Sequence, residues 1–204
     1  TLSVCASDET EDLVFRPEVV VTPRDTEGVS AVMRLASQHR APVTPRGAGT
    51  GLSGGALPVR GGIVLSTRNL NRILEIDTTN LMAVVEPGVI TQVFQEAVEA
   101  TGLFYPPDPA SRGSCFLGGN LAECSGGPRA VKYGVTRDWV TGVEAVLANG
   151  DVIRHGGKLL KNVTGYNLAQ LLIGSEGTLG VITKIYFRLI PMPRHRMLLL
   201  IPFE

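Results

Sequence analysis

The chain has 204 residues, with 19 Lys plus Arg against 19 Asp plus Glu and a net charge of zero at pH 7. Hydrophobic residues make up 44% and charged residues 19%, which excludes a disordered chain and argues against a nucleic-acid module, which carries a basic excess. At about 150 residues per domain, the length suits one large domain or two small ones.

No apolar run approaches the ~18 residues that suggest a membrane span; the most apolar stretch, Met197 to Phe203, is far too short. The first 15 residues, TLSVCASDETEDLVF, lack a basic start followed by an apolar run, so no signal peptide is expected. Cys5, Cys115 and Cys124 are too sparse for a disulfide framework, and the last two do not match common zinc spacing. Free thiols in a reducing compartment are expected, hence a cytoplasmic chain, with membrane association only through a partner.

In chain order, Val19–Thr22 reads as a strand ended by Pro23. Asp25 or Thr26 caps a helix running to about His39, with Val29, Val32, Met33, Leu35 and Ala36 at near-helical spacing. Ala41–Thr44 reads as a strand cut by Pro45, followed by a glycine-rich loop over Arg46–Gly55. Gly62–Ser66, Ile73–Ile76 and Met82–Glu86 read as strands, and Thr91–Thr101 as an amphipathic helix. Tyr105–Pro109 (YPPDP) excludes a helix interior. Leu117–Cys124 suits one or two helical turns. Thr141–Leu147 and Asp151–His155 form a hairpin across Ala148-Asn149-Gly150. Tyr166–Ile173 reads as a helix ended by Gly174, and Val181–Ile190 and Met197–Phe203 as strands. Early βα units and later hairpins point to an α+β architecture.

Glycine is the compositional outlier, 24 of 204 residues, and all but Gly28 lie between Gly47 and Gly180. Between strand-like runs, such glycines let the backbone approach a ligand closely. In Arg46-Gly47-Ala48-Gly49-Thr50-Gly51-Leu52-Ser53-Gly54-Gly55, consecutive amides can form an anion nest. Arg46 can add a bidentate contact to a phosphate, and Thr50 and Ser53 can add hydroxyls. A diphosphate is the ligand that fits; a surface hairpin with no ligand is the plain alternative. A P-loop reading fails because no Lys-Ser or Lys-Thr follows. Gly49 to Gly54 matches G-x-G-x-x-G, but that fingerprint needs a helix starting in the loop, and here Pro58, Gly61 and Gly62 precede a strand.

Four motifs occur in order: RGAGTGLSGG from Arg46, PPDP from Pro106, GGNLAECSGG from Gly118 and GSEGTLGVIT from Gly174. Together they resemble the FAD-binding (PCMH-type) domain of the vanillyl-alcohol oxidase family. Within it they are most similar to the FAD-linked oxidases of 2-hydroxy acids: glycolate oxidase flavin subunits, D-lactate dehydrogenases and D-2-hydroxyglutarate dehydrogenases. The resemblance runs from about Pro17 to the end of the chain. It implies two α+β subdomains, residues 17–104 and 105–193, with FAD between them. An N-terminal extension would cover residues 1–16, and the start of a truncated cap domain residues 194–204. By this resemblance Arg46, Gly47, Ala48, Gly49, Thr50, Gly51, Ser53 and Gly54 cradle the pyrophosphate. Pro109, Gly118, Gly119, Ala122, Ser125, Gly127 and Gly134 line the flavin's path, and Glu176, Gly177, Val181 and Ile182 meet the adenine and ribose end. Lys161, Thr164 and Gly165 are expected nearby. Members with covalent FAD carry a His where Thr50 stands, and His39, His155 and His195 lie elsewhere, so FAD is expected to be non-covalent.

The resemblance also implies missing parts. Complete members carry a cap domain and a C-terminal segment that supply the substrate site, metal-ligating histidines and a catalytic base. The chain is therefore expected to be a fragment that holds FAD, with a 2-hydroxy acid such as glycolate or D-lactate as the whole enzyme's substrate. No catalytic residue and no metal ligand are expected within it, and it alone would be inactive. A non-catalytic flavin subunit whose partner supplies the substrate site, in a homo- or hetero-oligomer, is the alternative, as is an oxidase of sugars or phenols. Arg188-Leu189-Ile190 and Met197–Ile201 are candidates for a face left exposed where a cap docks.

Overall fold

A computed structural model describes residues 2–195, 197 and 199–203. The first layer is a parallel sheet. β1 (Val19–Val21), β2 (Val43–Arg46) and β3 (Ile63–Ser66) lie in the order β1-β3-β2, and α1 (Thr26–His39) connects β1 to β2. Asp25 is the N-cap of α1: its carboxylate accepts the Gly28 N–H at 2.7 Å, as its short acceptor side chain suits. Pro45 does not cut its strand. It lies inside β2, opposite Leu65. β2 is an edge strand, so the amide that proline lacks need not serve a ladder on both sides.

The second layer is a five-stranded antiparallel sheet in the order β4-β5-β9-β7-β8. It is built from β4 (Ile73–Asp77), β5 (Met82–Val85), β7 (Val140–Val146), β8 (Val152–Gly156) and β9 (Val181–Arg188). The expected hairpin is β7–β8. Between β5 and β9 the chain also forms α2 (Thr91–Glu99), β6 (Leu103–Phe104), α3 (Leu117–Glu123), α4 (Ala130–Tyr133), a 3-10 turn over Thr136–Trp139 and α5 (Leu168–Leu172). β6 pairs with β10 (Ile190–Pro191). The architecture is α+β, as expected.

Several boundaries differ from the sequence expectation. α5 covers only Leu168–Leu172, because Asn167 caps it by accepting the Gln170 N–H. β9 stops at Arg188, and the Leu189 N–H turns to the carbonyl of Leu81. Within the segment Arg188–Ile190, expected as an open face, Arg188 is exposed, Ile190 is half-buried and Leu189 is buried. The strand expected over Met197–Phe203 lies partly outside the described residues, at Leu198, and its described residues are in no strand. Met197, Leu199, Leu200, Ile201 and Phe203 are exposed. β6, β10, α4 and the 3-10 turn escaped the sequence reading because two to four residues carry no periodicity.

Two apolar clusters organise the layers. The larger packs the five-stranded sheet against α2, α3 and α5, with the rings of Phe94, Tyr105 and Phe187 meeting in edge and tilted contacts at centroid separations of 4.8 to 5.5 Å. The smaller joins the two sheets: Val29 and Met33 of α1 meet Leu65 of β3, Val146 of β7 and Val181 of β9. Beside it the almost wholly buried Glu144 of β7 accepts from Thr26 Oγ1 at 2.8 Å, Thr183 Oγ1 at 3.0 Å and Arg154 Nε at 2.6 Å. Burial works against its charge, but the bonds from Arg154, Thr26 and Thr183 and the nearby Lys184 outweigh it and hold the carboxyl below its ordinary value. Ser30 Oγ adds a bond of 2.6 Å to the Gly150 carbonyl at the β7–β8 turn.

Glu144→Ala leaves the Thr26 hydroxyl without its acceptor and Thr183 with only its longer bond, 3.4 Å, to the backbone carbonyl of residue 144. A loss of roughly 2–3 kcal/mol is expected from urea denaturation at pH 7. Because the folded-state value is lowered, the difference between wild type and variant is full above the ordinary carboxylate range. It shrinks as pH falls through the lowered value. A difference that stays constant with pH would contradict this.

Candidate functional site

A cleft of about 310 Å³ opens where the two layers meet. Three stretches of backbone wall it: the loop that leaves β2, the start of α3 with the segment before it, and residues 176–182 ahead of and into β9. Of the residues singled out from sequence, Arg46, Gly47, Ala48, Gly49, Thr50, Gly51, Pro109, Gly118, Gly119, Ala122, Ser125, Glu176, Gly177, Val181 and Ile182 line it. They come from three separate parts of the chain, and the fold brings them together.

The loop leaving β2 is unusual in its hydrogen bonding. Among the described residues, none of the backbone N–H groups of residues 48–56 donates to a protein acceptor. Backbone donors are normally satisfied when sheltered, so the free amides of residues 48–52, 55 and 56, which line the cleft, are a donor surface for an anion. No helix follows the loop; the chain turns at residues 59–60 and enters β3, so the G-x-G-x-x-G match is accidental.

The opposite wall is made by close backbone approach. Gly118 donates its N–H to the Pro87 carbonyl at 2.8 Å, and a Cβ there would collide with Pro87. Gly119, one residue on, has nothing within 4 Å of its would-be Cβ, so its side-chain position is open space. Asn120 is buried and donates from Nδ2 to Thr91 Oγ1 at 2.5 Å, which ties α3 to the start of α2. The loop at Gly174–Gly177 hooks onto α3: Gly174 N–H donates to the Leu121 carbonyl and Glu176 N–H to that of Ala122.

Other expected site residues have different work. Gly127 has φ +112 and a Cβ there would overlap the Asp108 carbonyl; Gly134 has φ +78 and a Cβ would overlap the Asp138 carboxylate, which accepts the Val135 N–H at 2.7 Å. Neither lines the cleft; they are glycine because the chain folds tightly there. Gly54 also lies off the cleft wall, as does Ser53, whose hydroxyl turns to Glu123 at 3.1 Å and Glu176 at 3.4 Å. Thr164 and Gly165 line a small separate pocket with His155, and Lys161 lines neither.

Arg46 is placed in the cleft but used differently from the expected phosphate fork. Its guanidinium donates to three backbone carbonyls: Ser7 at 2.8 Å, Val4 at 3.3 Å and Ala56 at 3.4 Å. The residue is 6% exposed and, among the described residues, has no carboxylate within ion-pair distance. A buried guanidinium needs acceptors, and these carbonyls take three of its five N–H groups. The result is a buried positive charge without a counter-ion at the cleft wall. Gly49 packs against this guanidinium so closely that a Cβ would overlap it.

Residues that the sequence reading missed also line the cleft, among them Asp8, Thr67, Cys115, Phe116, Asn120 and Glu123. Asn120 and Glu123 sit inside the GGNLAECSGG motif, where the glycines drew attention away from them. Asp8 lies 38 residues before Arg46 and had no local signal. Glu123 is raised above its ordinary value, first by burial and then by the charges of Glu176 and Asp8, against the bond from Ser53. The single proton of Ser53 Oγ cannot serve both carboxylates at once.

Comparison with known proteins gives the family of the chain. The FAD binding domain family matches residues 17–156. The chain belongs to that family. FAD is therefore its cofactor. The chain is 51% identical to glycolate oxidase subunit GlcD of Bacillus subtilis (strain 168) over 98% of its own length and 43% of that protein's. It is 44% identical to a D-lactate dehydrogenase of Anaerostipes hadrus over 93% of its length and 40% of the relative. It is 40% identical to a D-2-hydroxyglutarate dehydrogenase of Stutzerimonas stutzeri (strain A1501) over 95% and 42%. A solved structure of alkyldihydroxyacetonephosphate synthase superposes with a TM-score of 0.76 at 28% identity, covering 86% of this chain and 32% of that one. The chain thus spans about two fifths of the length of these curated relatives. Among the described residues, no helix is long and apolar enough to cross a membrane, and no group of three or more His, Cys, Asp or Glu is placed to hold a metal ion.

Glu123→Gln keeps an acceptor for Ser53 and removes a charge that the folded cleft disfavours. Higher stability than wild type is expected at pH 7.5, by urea denaturation of the chain without FAD. The gain falls away as pH drops below the raised folded-state value, where wild-type Glu123 is itself protonated. A variant less stable than wild type at pH 7.5 would refute this.

Proposed function

We propose that this FAD-binding domain holds FAD non-covalently in the cleft and serves a flavoenzyme that oxidises a 2-hydroxy acid such as glycolate or D-lactate. The observation that carries the reading is the run of free amides over residues 48–56 beside the buried, uncompensated charge of Arg46. Donors and positive charge together suit a diphosphate. The Gly118–Gly119 wall supports the rest: at Gly119 a side chain is missing and space is left open, which suits the passage of an extended cofactor along backbone. Bound there, the flavin supplies the hydride acceptor; the chain's own residues bind it, orient it and shield it from water.

In this reading the backbone amides, rather than the Arg46 fork, meet the phosphate oxygens. Arg46 contributes its charge and braces the loop. Val181 and Ile182 offer an apolar wall, and Pro109, Ala122 and Ser125 line the second side. Thr50 has no imidazole to offer for attachment, and none of His39, His155 and His195 lines the cleft. Residues 17–104 and 105–193 are read as the two halves that close on FAD, although β5 and β9 pair across that division. The hydroxy-acid site itself is assigned to a cap domain or a partner subunit. The names of three relatives, a glycolate oxidase subunit, a D-lactate dehydrogenase and a D-2-hydroxyglutarate dehydrogenase, support the substrate class.

The chain mixed with FAD and desalted is expected to keep the flavin absorption bands. Precipitation with acid is expected to release all of the flavin into the supernatant. Flavin that stays with the pellet would refute non-covalent binding, and a chain that never retains FAD would refute the placement. Gly119→Leu gives a sharper check. It fills open space in a helix, where leucine is the better former by about 0.5–1 kcal/mol. Thermal stability of the FAD-free chain is expected to hold or rise, while FAD retention falls at least tenfold by equilibrium titration.

A further inference from the structure

Residues 2–16 precede the part of the chain that the family matches and contain no helix or strand. They are nevertheless built into the cleft. Ala6 is 3% exposed, and its carbonyl accepts the Phe15 N–H at 2.8 Å, which closes the segment into a loop. The Arg46 guanidinium holds this loop down by the carbonyls of Val4 and Ser7. Asp8 then faces the cleft.

The loop also carries unmet hydrogen-bonding capacity. Among the described residues, three buried side-chain polar atoms have no partner, and two of them, Asp8 Oδ2 and Thr10 Oγ1, lie here. Asp8 Oδ1 is occupied by the Thr10 N–H at 2.9 Å. A sheltered acceptor without a donor is costly, and such atoms usually find their partner in a ligand or water. An ionised carboxylate can only accept, so its complement is a hydroxyl or an amine, not a phosphate oxygen.

We propose that residues 4–10 form a strap that completes the cofactor site, with Asp8 accepting a hydroxyl from the sugar or ribityl chain of FAD. The inference rests on the reading of the cleft as the FAD site. The strap is tied to Arg46 by main-chain carbonyls, so its hold on the cleft depends on backbone position and tolerates varied side chains at Val4 and Ser7. Arg46 thereby couples the strap to the loop of free amides: one side chain braces both.

The test compares the FAD-loaded wild-type chain with Asp8→Ala, Asp8→Asn and a variant lacking residues 1–10. Flavin release is followed by its fluorescence after dilution, and hydrogen exchange over residues 4–10 is measured with and without FAD. Release at least tenfold faster is expected from the deletion and about fivefold faster from Asp8→Ala, with Asp8→Asn intermediate because its amide oxygen still accepts. FAD is expected to slow exchange across residues 4–10, which a merely structural role for Asp8 would not produce. Wild-type release rates in Asp8→Ala, together with exchange that FAD does not alter, overturn the strap while leaving the FAD site standing. A wild-type chain that retains no FAD overturns both. A deletion variant that holds FAD more tightly than wild type shows the segment to be a plug and overturns the strap. Should the deletion variant fail to fold, Asp8→Ala and the exchange data decide alone.

Discussion

The cleft exists because two sheets of different kind are held together at one buried carboxylate. Glu144 of β7 takes hydrogen bonds from Thr26 on α1, Thr183 on β9 and Arg154 on β8. A charge this sheltered is tolerable only with such partners. The apolar contacts of Val29 and Met33 with Leu65, Val146 and Val181 supply the attraction between the layers, but they are not directional. Glu144 adds direction. It sets where α1 sits on the second sheet, and hence where β2 releases its loop relative to β9 and α3.

With that spacing set, the cleft is lined mostly by main chain. Gly118 closes on Pro87, and the Gly174–Gly177 loop hooks onto α3 through two backbone bonds. The loop after β2 presents its amides unused. Such a site recognises by donors in fixed positions rather than by long side chains, which lose more conformational entropy when ordered. It also explains the glycine content. Some glycines, such as Gly119, leave room, while others, such as Gly127 and Gly134, only allow the chain to fold back on itself.

Charge around the cleft is uneven. Arg46 is the buried cation, and Asp8, Glu123 and Glu176 bring carboxylates to the same cleft. Glu123 and Glu176 both lie within reach of the one hydroxyl of Ser53, and burial first, then the charges of Glu176 and Asp8, disfavour the charge of Glu123 against that bond. An anionic ligand at the free amides and hydroxyl-bearing portions near the carboxylates would match this division. A cofactor that carries a diphosphate between two polyhydroxylated chains has that pattern.

Much of this protein was legible in its sequence. The Asp25 cap, the spacing of α1, the β7–β8 turn at Asn149-Gly150 and the four glycine motifs are local signals, set by backbone conformation within a few residues. They were enough to name the α+β class, the family and most of the cleft wall. What they could not show depends on residues far apart in the chain. Pro45 is tolerated in a strand because tertiary pairing puts that strand at an edge. Gly127 and Gly134 share a motif's appearance with Gly119 but pack against Asp108 and Asp138 instead. Arg46 looked like a phosphate ligand beside its glycines. The fold brings the carbonyls of Val4 and Ser7 to it, and a buried guanidinium takes the acceptors that surround it. Local sequence determined the elements and the donor-rich loop; only the packing of distant segments decided which polar groups were left for a ligand.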